Sequence, residues 1–173
     1  MFRAGVLTVS DKGSRGQRQD TSGEVIKEMI ATVGGRAVSY EIVPDEAEVI
    51  AARLAAWADG GGVDVILSTG GTGLGPRDVT PEATLSVLEK TLPGFTEVMR
   101  LETFHRTPAA VLSRAVAGTR RQCLIINLPG SPKAVRECLE VILPAIPHAV
   151  EMITGAVTEH AAPDSGREQH HAH

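Results

Sequence analysis

"VDVILSTGGTGLGPRDVTPEAT", residues Val63 to Thr84, decides the fold. The apolar run ending at Leu67 is too short for a helix and is bounded by polar turn residues, so it reads as a buried strand. Gly70, Gly71, Gly73 and Gly75, with Pro76, then make a pliable loop. Thr80 before Pro81 reads as the N-cap and first residue of a helix running through "TPEATLSVLEK", Thr80 to Lys90. Strand, glycine-rich loop and helix form half of a parallel crossover unit, and in such units ligands sit outside the carboxyl ends of the strands.

The same grammar recurs on either side. "AGVLTVS" (Ala4 to Ser10) and "RAVSYEIVP" (Arg36 to Pro44) read as strands, followed by helices over "DTSGEVIKEMIATVGG" and "DEAEVIAARLAAWADGGG", each stopped by glycines. "PGFTEVMRLETFHRTPAAVLSRA" reads as one or two helical pieces divided near Pro108. "RQCLIINLPG" reads as a strand, and "SPKAVRECLEVILPAIPHAVEMI" as a helix broken at Pro144 and Pro147. Alternating strands and helices predict an α/β fold of three layers, a mostly parallel sheet with helices on both faces. Residues 1–158 are expected to form one domain. Residues 159–173, which lack apolar periodicity, are expected to be a disordered tail.

Four loops rich in Gly, Ser, Asp and Pro then fall on one rim of the sheet: "SDKGSRGQRQD", "PDE", the glycine loop and "LPGSP". The glycine loop fits neither a dinucleotide fingerprint, which would need glycine where Pro76 stands, nor a P-loop, which would need a lysine. A plain surface turn would use glycines for left-handed backbone angles alone. Alongside Ser68, Thr69 and Thr72, however, Gly70, Gly71 and Gly73 offer backbone N–H groups and hydroxyls suited to an anionic ligand. Asp45 reads equally as a helix cap, with Glu48 completing a capping box, or as a functional acid. Asp78 follows Arg77 inside the loop. Two carboxylates beside a phosphate cradle suit Mg²⁺, which prefers oxygen ligands and bridges polyphosphates. Arg77 and Lys12 are candidates to neutralise charge on a transferred group, or are solvated surface cations.

Composition narrows the partners. The 173 residues carry a formal charge of −4 and a pI near 5.9, with few aromatic residues, so no nucleic-acid partner is expected. No apolar stretch reaches the length of a membrane span and the N-terminus lacks a signal sequence, so no membrane partner is expected. Cys123 and Cys138 sit in apolar patterns rather than a disulfide framework, which fits a reduced, cytoplasmic setting. The six histidines find no catalytic constellation; His170, His171 and His173 lie in the terminal segment.

Taken in order, "TVSDKGSRGQRQDTSG", "VPDE", "STGGTGLGPRDVTPEAT", "PGFTEVMR", "LSRAVAG" and "LIINLPGSPKAV" resemble the molybdopterin adenylyltransferase family, the Mog-type enzymes of molybdenum cofactor biosynthesis, across roughly residues 4–155. The resemblance implies binding of molybdopterin and MgATP, transfer of AMP to the pterin's terminal phosphate and release of pyrophosphate. It also implies a homotrimer, with hexamers in a related branch, and handover to a molybdate-insertion protein. It assigns Asp45 and Asp78 as the catalytic acids and tentative Mg²⁺ ligands, and Ser68 to Gly73 as the ligand cradle. Ser113 and Ser131–Pro132 become pterin-side positions, and Ser10 and Asp11 border the pocket. Thr103 stands where the family often has serine. A non-catalytic pterin-binding or metal-insertion scaffold and a nucleotide pyrophosphate hydrolase are the competing classes, separable by product analysis.

Overall fold

The structure is a computed structural model, and it describes residues 1–155. The expected tail and the last residues of the expected domain, 156–158, lie outside the described residues.

Four strands make the parallel heart of a six-stranded sheet: β1 (Phe2–Val9), β2 (Gly35–Val43), β3 (Val65–Thr69) and β6 (Cys123–Leu128). Two short antiparallel strands, β4 (Lys90–Thr91) and β5 (Ala117–Arg120), extend one side, giving the order β2-β1-β3-β6-β5-β4. Thr8 pairs with Thr69, and Thr69 with Leu128, so the loops after β1, β3 and β6 leave the sheet at the same level. The three layers are as the sequence predicts.

Side-chain alternation divides the core between the two faces. Ala4, Val6, Val65, Leu67, Leu124, Ile126 and Leu128 point to one side and pack with α2 (Thr21–Ala31), α6 (Pro132–Ile142) and α7 (Ile146–Thr154). Leu7, Val9, Ile66, Cys123 and Ile125 point to the other and meet Ile50 and Leu54 of α3 (Ala47–Asp59) and Ala83 of α4 (Thr80–Leu85). Both faces are covered, which is why β3 and β6 are apolar without alternation in sequence. A four-residue α1 (Asp11–Ser14) follows β1, α5 (Pro93–Phe104) follows β4, and a 3-10 turn covers Pro108–Leu112.

Several local expectations are corrected. The helix begun at Thr80 stops at Leu85, because the backbone N–H of Glu89 pairs with the carbonyl of Thr119 and draws residues 89–91 to the sheet edge. Thr80 is not an N-cap: it is the first helical residue, fully buried, and its hydroxyl donates to the Gly70 carbonyl at 2.9 Å. Pro147 does not break a helix. It sits in the first turn of α7, where its missing N–H has no partner to lose. Strands β4 and β5 escaped the sequence reading because "KT" and "AGTR" have too little apolar content to register.

Candidate active site

The loop after β1 begins with Ser10, whose Oγ accepts the Gly13 N–H at 2.9 Å and caps α1. The loop after β2 carries Asp45. Asp11 and Asp45 hold each other: the Asp11 N–H donates to Asp45 Oδ2 at 2.9 Å, and the Asp45 N–H to Asp11 Oδ1 at 3.0 Å. The helix-cap reading of Asp45 therefore falls. Glu46 precedes α3, and no side chain caps that helix. Arg77 clamps the Asp11 carboxylate from outside, Nε to Oδ2 at 3.0 Å and Nη2 to Oδ1 at 2.8 Å. This bidentate contact holds the Asp11 carboxyl below its ordinary range. Asp45 shifts the opposite way: burial raises it first, and the neighbouring Asp11 and Asp78 charges add to the rise.

The glycine loop is shaped by close contacts. Gly70 and Gly71 have φ of 97° and 71°, and a Cβ on either would run into the Val9 carbonyl or the Thr80 hydroxyl. Both positions demand glycine. Asp78 closes the loop by accepting the Gly75 N–H through Oδ2 at 2.9 Å. Arg114 ties it from the far side, Nε to the Gly73 carbonyl at 2.8 Å and Nη2 to the Asp78 carbonyl at 2.7 Å, while Nη1 pairs with Glu82. The N–H groups of Gly71, Thr72 and Gly73 take no acceptor among the described residues.

Two cavities open on this loop. One, of about 540 Å³, is the more polar of the two; Ser10, Asp20, Asp45, Thr69, Gly70, Ser131 and Pro132 are among its walls. The other, of about 410 Å³, is largely apolar and includes Thr72, Gly73, Met99, Arg100, Thr103, Ser113 and Glu137. Gly71, Asp78 and Gly130 belong to both. The fold thus places Ser113 on one side of a shared wall and Ser131–Pro132 on the other. Ser68, Asp11, Arg77 and Lys12 line neither cavity. Ser68 is buried in β3, where its Oγ accepts from Asn127 Nδ2 at 2.9 Å. The Thr103 hydroxyl faces its own helix and donates to the Met99 carbonyl at 2.6 Å.

Sequence reasoning missed four residues that build this site. Asn127, fully buried, links Ser68 on β3 to Thr84 on α4 and accepts the Val116 N–H. Asp20 caps α2 at the Gly23 N–H and accepts from the Thr8 and Tyr40 hydroxyls. Ser22 donates to the Gly130 carbonyl at 2.6 Å. Arg114 was legible only as part of "LSRA". The Asp-x-x-Gly spacing of Asp20 and Gly23 was a usable cap signal; the others act through tertiary contacts alone. Among the described residues no group of three or more His, Cys, Asp or Glu side chains could hold a metal ion by itself. Cys123 and Cys138 are unpaired, and burial pushes their thiols up to about 12 and about 11.

Residues 5–148 match the family model described as "Probable molybdopterin binding domain". The chain belongs to this family. It is 47% identical over 153 residues to the molybdopterin adenylyltransferase of Helicobacter pylori strain J99, covering 87% of each chain. It is 40% identical over 138 residues to the Escherichia coli K12 protein of the same name, covering 79% of this chain and 71% of that one. Among solved structures, the molybdopterin biosynthesis enzyme MoaB from Thermus thermophilus is similar with a TM-score of 0.85 and 55% identity, covering 90% of this chain and 98% of that one. No helix among the described residues is long and apolar enough to cross a membrane.

Proposed function

We propose that this chain is a molybdopterin adenylyltransferase that moves AMP from ATP to the terminal phosphate of molybdopterin and releases pyrophosphate. The observation that carries the reading is the shared wall: two substrate-sized cavities meet at Gly71, Asp78 and Gly130. A bisubstrate transfer between phosphates needs such a junction, because attacking oxygen, phosphorus and leaving oxygen must line up. The more polar cavity, which holds Asp45 and Asp78 together, takes the nucleotide, and the apolar one takes the pterin; this keeps Ser113 on the pterin side and moves Ser131–Pro132 to the nucleotide side.

In the transfer, a pterin phosphate oxygen forms a bond to the α-phosphorus as the bond from that phosphorus to the bridging oxygen of pyrophosphate breaks. A phosphate nucleophile is already ionised at neutral pH, so no general base is required. The uncommitted N–H groups of Gly71, Thr72 and Gly73 are available to the phosphoryl oxygens at the junction. Arg114 fixes the Gly73 and Asp78 carbonyls, keeping the loop in its receiving shape.

The donor set fits Mg²⁺: two carboxylates on one cavity, with room for phosphate oxygens and water as further ligands. Asp45 and Asp78 would hold the ion, and the chemistry it supplies is neutralisation of charge between two anions. The test is Asp45→Asn and Asp78→Asn, which keep shape and remove charge. ATP-dependent adenylylation is expected to fall by roughly a hundredfold or more in each, with pterin affinity retained in Asp45→Asn, since Asp45 lines only the nucleotide cavity. Near-normal turnover in both variants would sink the mechanism, and turnover of ATP without a pterin acceptor would mark a hydrolase instead.

A further inference from the structure

The apolar cavity contains two charges that do not serve each other. Met99, Ala110, Leu112, Ala115 and Cys138 give it its character, yet Arg100 on α5 and Glu137 on α6 open into it as well. No ion pair joins them among the described residues. Arg100 is engaged by backbone: Nη1 donates to the Ser113 and Ala115 carbonyls, both at 3.2 Å, and Nη2 to the Thr96 hydroxyl at 3.4 Å. Glu137 has no comparable support. Its side chain is only 13% exposed, and Lys133, one helical turn back, lies at 4.0 Å with its own side chain 81% exposed. Among the described residues no N–H or O–H donates to the Glu137 carboxylate, and its oxygens are not sealed from solvent. The carboxylate thus has only a loose ion pair with Lys133 at the cavity's outer edge, and its hydrogen-bond acceptors are uncommitted beside a largely apolar space.

A donor-bearing ligand in the cavity would supply the direct hydrogen bonds that Lys133, at 4.0 Å, does not. We infer that Glu137 reads the amino edge of the pterin ring, a reading that rests on the apolar cavity being the pterin's. A 2-amino-4-oxo pterin presents an exocyclic N–H and the adjacent ring N–H side by side, at the spacing of two carboxylate oxygens, in the same parallel manner as a guanidinium. A lumazine ring carries oxygen in place of the amino group and sets an acceptor against the carboxylate. Glu137 is thus a specificity-determining residue: it selects the 2-amino heterocycle and rejects its dioxo counterpart.

Pterin fluorescence supplies the experiment, using 6-hydroxymethylpterin and 6-hydroxymethyllumazine as probes. The wild-type protein is expected to bind the pterin about 10- to 100-fold more tightly, the range for a charge-assisted pair left unmade. In Glu137→Gln, whose amide offers one acceptor and one donor, the preference is expected to shrink to within about threefold, with MgATP affinity unchanged. An undiminished preference in Glu137→Gln, or none in the wild type, overturns the assignment. Ala110→Trp, which fills the cavity, separates the two levels of the argument. Pterin binding that survives Ala110→Trp overturns the cavity reading and this inference with it. Binding lost there, with the ring preference intact in Glu137→Gln, leaves the cavity reading standing and removes Glu137 alone. Melting temperatures of both variants identify any that fail to fold.

Discussion

Asp45 works against the stability of the fold that carries it. Because burial and two neighbouring acids raise its carboxyl, the folded state binds this proton more tightly than the unfolded chain does. The stability it contributes is complete below the ordinary carboxylate range and is lost as pH rises through the raised value. Asp45→Asn removes the penalty while an amide oxygen can still accept the Asp11 N–H. Its melting temperature relative to wild type is expected to rise from acid to neutral pH, a comparison read by thermal scans across that range. Asp11 has the opposite sign. Arg77 depresses its carboxyl, so its contribution is present above the ordinary range and is lost as pH falls through the depressed value. Asp11→Asn is expected to lower the melting temperature at neutral pH and to converge with wild type in acid. Both aspartates were visible in the sequence, since acids directly after strands and in glycine loops announce themselves. Their mutual grip was not, because a backbone-to-carboxylate exchange across 34 residues leaves no local pattern.

The glycine loop is where local sequence and tertiary contact meet. Gly70 was legible as a flexible position, but what fixes it is the Val9 carbonyl of the neighbouring strand together with a φ of 97°. Gly70→Ala is therefore expected to cost more than a surface glycine substitution, on the order of 1–3 kcal/mol from backbone strain alone, measured by denaturant unfolding. Arg114 holds the other end of the loop. Arg114→Lys keeps a cation opposite Glu82 but loses the fork that reaches two carbonyls at once. It should reduce kcat about tenfold through a loosened Asp78 while sparing pterin affinity, which steady-state kinetics and fluorescence titration separate. Among the elements, the long apolar strands were read correctly because burial on both faces writes itself into composition. The edge pair β4–β5 was not, since its pairing is backbone hydrogen bonding between residues of no particular preference.

For the whole molecule, the sheet order follows from right-handed crossovers, and the one rim it creates was anticipated from loop composition. Val98, Leu101 and Phe104 lie along one side of α5 and are 37%, 62% and 44% exposed, beside a groove formed with Leu92, Phe95, Val141 and Ala145. Light scattering is expected to report three times the 18.2 kDa chain, and Leu101→Asp to shift the population toward monomer. A monomer in the unmodified protein at micromolar concentration would remove the trimer from the account. The shared wall of Gly71, Asp78 and Gly130 makes the two cavities thermodynamic neighbours. Whatever occupies the first alters the charge that Asp78 presents to the second, and the hydroxyl of Ser22 on the Gly130 carbonyl ties α2 to the same boundary. Linkage then obliges the effect to be reciprocal: the factor by which nucleotide changes pterin affinity must equal the factor by which pterin changes nucleotide affinity, whichever substrate arrives first.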